Sequence, residues 1–151
     1  MTRNTGPVWH GGDFDLAAAN RIGAANLAGF LGIEFVEYGD DWLAAVMPVN
    51  DRTRQPFGLL HGGASVALAE TVSSVAGTCS VNPDTRFVVG MEINANHIRS
   101  ARSGLVRAVT KAEALGQTTQ VWTIRITDEQ DRLICLSRAT LAVLDRLPSR
   151  A

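Results

Sequence analysis

Hydrophobic residues recur along this chain in a pattern that changes three times. After Asp13 and Asp15, either of which can cap a helix, Leu16, Ala19, Ile22, Ala25 or Asn26, and Phe30 recur near helical spacing. The pattern predicts one helix running to about Leu31 and stopped by Gly32. A period of two follows. Ile33–Tyr38 and Trp42–Val49 read as a hairpin around Gly39-Asp40-Asp41, with Trp42, Ala44 and Val46 alternating against Leu43, Ala45 and Met47. Residues 50–60, NDRTRQPFGLL, are a loop rich in turn formers. From Gly62 to Cys79 the segment GGASVALAETVSSVAGTC is small or apolar on nearly every face, which predicts a buried helix. Alternation returns beyond Asn82-Pro83-Asp84. It marks strands at Arg86–Ser100, at Gly104–Glu113 before the break Leu115-Gly116, and around Val121–Ile126. A turn at Asp128–Asp131 precedes Leu133–Leu144, where Leu133, Cys135, Ser137, Ala139, Leu141 and Val143 share a face.

This order predicts an α+β fold in which an antiparallel sheet wraps around one long apolar helix. Ala64, Ala67, Ala69 and Ala76 supply the small residues that close packing on a sheet needs. Residues 1–12 read as a loose leader and 13–151 as a single domain. At 151 residues the chain is long enough for one core, and 46% hydrophobic with 19% charged residues is ordinary for a globular protein. A net charge of −1 argues against nucleic acid and anionic membrane as partners. No apolar run approaches the roughly 20 residues of a membrane span, nor does the N-terminus resemble a signal peptide. Cys79 and Cys135 fit no metal or redox spacing and read as free thiols, with a single bridge between them as the alternative, and the expected compartment is the cytoplasm. No metal or other cofactor is expected.

Glu70 is the only charged residue between Gly62 and Cys79. One turn away on either side stand Val66, Ala67, Ser73 and Ser74, none of them basic. An ionised carboxylate is expensive to bury unpaired, so a buried Glu70 is expected to be placed for chemistry. Gln55, His61 and the pair Gly62-Gly63 precede it. Backbone N–H groups at the start of a helix lack intrahelical partners and form a site for a developing oxyanion. Ser74, one turn past Glu70, can hydrogen-bond the carboxylate or a water beside it. A second His-Gly-Gly at His10–Gly12 has Ala19 where an acid would stand, and reads as a turn. Gly62 and Glu70 lie about 12 Å apart along a helix, too far to act on one carbonyl from a single copy. If both act together, two antiparallel helices from two chains must share the site.

The stretch QPFGLLHGGASVALAETVSSVAG (Gln55–Gly77), followed by VVGMEINANHIRSARSG (Val88–Gly104), resembles the hotdog-fold acyl-CoA thioesterases. The branch is the PaaI-like one that includes the 4-hydroxybenzoyl-CoA and 1,4-dihydroxy-2-naphthoyl-CoA enzymes. The resemblance covers about Asn26 to Leu144. It implies an acyl-CoA substrate with an aryl acyl group, a homodimer with a shared site, and pairing of dimers into a homotetramer. By position it implies Glu70 as the catalytic carboxylate and Gln55 as the residue orienting the thioester. Gly62 matches the backbone donor to the thioester oxygen, His61 the histidine beside it, and Ser74 the holder of the hydrolytic water. His97 and Arg99 match residues near the CoA nucleotide, and Thr118 and Thr119 are candidates to bond the pantetheine arm. Against these stand simpler readings: His61 as a helix cap, His97 and Arg99 as a solvated pair on one strand face, and the three tryptophans as packing. A hotdog hydratase or dehydratase and a non-catalytic acyl-CoA binding module are the alternative functions.

Overall fold

In the computed structural model, residues 6–146 are described. The alternating segments form six antiparallel strands: β1 Glu34–Tyr38, β2 Trp42–Pro48, β3 Arg86–His97, β4 Leu105–Leu115, β5 Thr119–Asp128 and β6 Leu133–Asp145. They make one sheet in the order β1-β2-β4-β5-β6-β3. The helical segments are α1 Leu16–Gly23, α2 Leu27–Leu31 and α3 Gly62–Cys79. Alternation on β6 buries Cys135, Ser137, Ala139, Leu141 and Val143, as its sequence predicts. With Leu43, Met47, Trp122, Ile124 and Ile126 these residues face Leu68, Ala69, Val72 and Ala76 of α3. The α+β fold expected from the sequence is the fold observed.

Four expectations need correction. The single helix to Leu31 is two, because the Asn26 side chain accepts from the Ala28 N–H and starts a new helix, competing locally with the backbone ladder. Its supposed apolar stripe is divided, leaving Ile22 and Phe30 exposed. Residues 8–12 are not loose: the Val8 N–H donates to the Asp40 carbonyl, and His10 N–H donates to that of Cys79. Between them Trp9 is buried and donates from Nε1 to the Gly39 carbonyl at 2.8 Å. Residues 1–5 of the expected leader lie outside the described residues. Third, the strand expected to reach Ser100 ends at His97, where the Ile98 and Arg99 N–H groups both turn to the Ile134 carbonyl.

The fourth correction matters most for function. α3 is buried on one face only: Ser65, Leu68, Ala69, Val72, Ser73, Ala76 and Gly77 are covered, whereas Gly63, Glu70 and Thr78 are exposed. The sheet has one face to offer a helix, and a helix apolar all round keeps a bare side until something else covers it. Glu70 is therefore not a buried charge within one chain.

Two edges frame this bare side. β1 is short, and Asn20 of α1 extends it sideways, donating to the Phe35 carbonyl at 2.9 Å and accepting the Phe35 N–H at 2.8 Å. At the other edge, among the described residues, β3 pairs only with β6. Gly90 there pairs with Leu141 and Glu92 with Thr140, so Met91 is the extra residue of a β-bulge. No helix among the described residues is long and apolar enough to cross a membrane.

Candidate active site

The loop before α3 is knitted to itself before it reaches the helix. Thr53 is buried, donates from Oγ1 to the Pro48 carbonyl at 2.7 Å and accepts the Asn50 N–H at 3.0 Å. Its own carbonyl receives the His61 N–H, and the Leu60 N–H binds the Ala101 carbonyl. These bonds fix where α3 starts. His61 is the N-cap: its Nδ1 accepts the Gly63 N–H at 2.8 Å, which leaves the ring proton of a neutral imidazole on Nε2. The capping reading of His61 is thus the geometry observed. The cap takes the second N–H of the helix and spares the first. Gly62 N–H has no hydrogen-bond partner among the described residues.

Gly62 lines a cleft of about 300 Å³ together with Gln55, Leu60, Ser65, His97 and Arg99. The imidazole of His97 lies against Gly62 so closely that a Cβ on Gly62 would stand 2.9 Å from Nε2. Only glycine leaves both the ring and the free N–H in place. Gln55 is held by its own loop, its Oε1 accepting the Phe57 N–H at 2.5 Å. Arg99 donates to the Leu133 carbonyl at 3.3 Å and is otherwise exposed. Four of the residues singled out in the sequence thus line one cleft; His61, next to Gly62 in the chain, is not among its walls.

Glu70 and Ser74 lie elsewhere. Glu70 stands two turns along α3 with its carboxylate over β3, where a Cβ on Gly90 would stand 2.9 Å from Oε1. Among the described residues it has no side-chain hydrogen bond and no ion pair. Ser74 makes no bond to it; Ser73 instead returns its hydroxyl to the Ala69 carbonyl at 2.9 Å. Ser74 lines a second, predominantly apolar cavity of about 380 Å³ between α1 and α3, with Ala19, Ile22, Phe35, Val75 and Cys79 among its walls. Burial pushes the Cys79 thiol up from its ordinary pKa, so it stays protonated there. Thr118 and Thr119 join neither group. Thr119 pairs with Ala142 whereas His97 pairs with Cys135, some 23 Å away along β6.

Residues 57–135 match the thioesterase superfamily. The chain belongs to that family. It is 57% identical over 129 residues to the 1,4-dihydroxy-2-naphthoyl-CoA hydrolase of Escherichia coli, covering 85% of this chain and 94% of the relative. A proofreading thioesterase of Cronobacter turicensis is 50% identical, covering 85% and 93%. Among solved structures, a mutant thioesterase of Pseudomonas aeruginosa superposes with a TM-score of 0.90 at 44% identity, covering 92% of this chain and 99% of that one. The chain is accordingly a thioester hydrolase with the hotdog fold.

Several features of this thioesterase's candidate site were not read from the sequence. The α1–α3 cavity needs the break at Asn26, which the helical spacing concealed. The contact between His97 and Gly62 depends on where β3 ends. Gly90 gave one signal, a glycine inside a strand.

Proposed function

We propose that the acyl-CoA thioester cleaved by this enzyme carries an aryl acyl group and is hydrolysed at a site shared by two protomers. The observation that carries the reading is the pairing of an unengaged Gly62 N–H with an unpaired Glu70 too far along the same helix to meet it. In one protomer the thioester oxygen accepts from Gly62 N–H, with the positive end of α3 behind it. Gln55 and His61 hold that end of the substrate, and the CoA leads away past His97 and Arg99. Thr118 and Thr119 are 23 Å or so from that cleft within one chain, so a role for them on the pantetheine arm needs the partner's copy.

The partner supplies Glu70. Its carboxylate takes a proton from water held near Ser74, the hydroxide adds to the carbonyl carbon, and negative charge develops on the oxygen at Gly62. Collapse breaks the C–S bond, and the thiolate leaves as CoA while taking up a proton. Direct attack by Glu70, giving a mixed anhydride that water then cleaves, is the other route; ¹⁸O found in Glu70 after single turnover in ¹⁸O-water marks that route with water attacking the Glu70 carbon of the anhydride. The acyl group occupies the α1–α3 cavity, whose apolar walls suit a ring.

The bare side of α3 and the unpaired edge of β3, with Val89 41% and Met91 64% exposed, support a second copy as the missing cover. The family resemblance suggests that such dimers pair again into tetramers, in a cytoplasmic enzyme without metal or cofactor. The names of the relatives favour hydrolysis over a hydratase or a mere binding module. A screen of aryl- and alkanoyl-CoAs by release of free thiol tests the reading, with Glu70→Ala as the control. Preference for alkanoyl esters, or full activity in the folded control, would contradict it.

A further inference from the structure

We infer that Gly90 of β3 is a positioning residue for the Glu70 carboxylate: its missing side chain is the seat in which that carboxylate rests. This rests on the proposed role of Glu70. Glycine weakens a strand interior, so its presence there asks for a reason. The backbone gives none. Gly90 is not among the residues with positive φ, and its pairing with Leu141 is regular up to the bulge that follows. Packing gives one. A Cβ built on Gly90 would meet Glu70 Oε1 at 2.9 Å and Glu70 Cδ at 4.0 Å, and no other heavy atom within 4 Å. The space a methyl would take is claimed by the carboxylate alone.

The bulge adds the second element. It inserts Met91 directly after Gly90 and bends the strand at the point where Glu70 crosses it. Another glycine shows the contrast. A Cβ on Gly77 would stand 2.5 Å from Leu141 and 2.7 Å from Gln120, both buried, so a methyl there would disturb the core. At Gly90 the obstacle is the far end of a flexible side chain. Alanine there leaves the fold intact and moves the carboxylate. A displacement of the order of 1 Å in a catalytic group lowers turnover by as much as ~10²-fold.

The experiment compares Gly90→Ala, Glu70→Asp, the double variant and Glu70→Ala in the full-length dimer. For Gly90→Ala the expected results are an unchanged or higher Tm, an unchanged dimer mass, KM within about twofold, and kcat reduced by ~10- to 100-fold. Aspartate withdraws the carboxylate by one methylene from the position a Cβ would block. Glu70→Asp should therefore lower kcat in the wild-type background and lower it much less, or raise it, beside Gly90→Ala. Wild-type turnover by Gly90→Ala while Glu70→Ala is inactive would overturn this inference and leave the role of Glu70 standing. A lowered Tm, a lost dimer, or strictly multiplicative effects of the two substitutions would overturn it as well. Full activity of Glu70→Ala would instead remove the reading on which it rests.

Discussion

Glu70 carries most of the chemistry assigned to this chain, and its surroundings say what its loss should do. Among the described residues its carboxylate has no ion pair or hydrogen-bond partner to abandon, and it is exposed on the single chain. Glu70→Gln should therefore lower kcat by at least ~10²-fold, the size expected for a positioned base, while Tm holds or rises. A large loss of Tm would show instead that the carboxylate is structural. Arg99 makes the opposite kind of prediction. It stands at the mouth of the cleft with one carbonyl for company, so Arg99→Ala should raise KM for full CoA esters and hardly affect esters of a truncated pantetheine thiol. Equal loss on both substrates would mark it as part of the fold. The residues themselves were legible in the sequence because few charges and few glycines interrupt that segment. Their exposure was not, since a sequence does not say how many sides of a helix its own chain can cover.

At the scale of elements, the period-two alternation located every strand, and the uniform apolarity of Gly62–Cys79 located α3. What failed was local. A side-chain cap at Asn26 outweighed the helical spacing of Leu16 to Phe30, and a tryptophan nailed down a segment whose polar composition looked loose. Asn20 is a further case, since nothing in its neighbours announces that it closes the β1 edge. Replacing it by alanine strands the Phe35 N–H and carbonyl, at a cost of about 1–2 kcal/mol and a fall of a few degrees in Tm. Asn20→Asp keeps the acceptor but sets a carboxylate oxygen against the Phe35 carbonyl, and should cost at least as much as alanine. Calorimetry at fixed protein concentration checks both. An unchanged Tm for Asn20→Ala would mean that β1 is held by the sheet alone.

At the scale of the whole molecule, the prediction concerns pairs of chains. If two chains share the site as proposed, Glu70→Ala and Gln55→Ala homodimers should each be impaired at both sites. After subunit exchange, a heterodimer has one site carrying both lesions and one carrying neither, so up to half of its sites regain full competence. Exchange demonstrated by mass without recovered hydrolysis would rule out the shared site. The unpaired edge of β3 has a consequence that reaches back before assembly. Before it pairs as proposed, a newly made protomer carries a strand of 12 residues with one row of backbone donors and acceptors open, guarded by the bulge at Met91 but by no lysine or proline. Between release and pairing it is a template for aggregation. Its yield in cells should accordingly depend on how fast chains meet, favouring pairing of neighbours on one message over slow encounter in dilute solution.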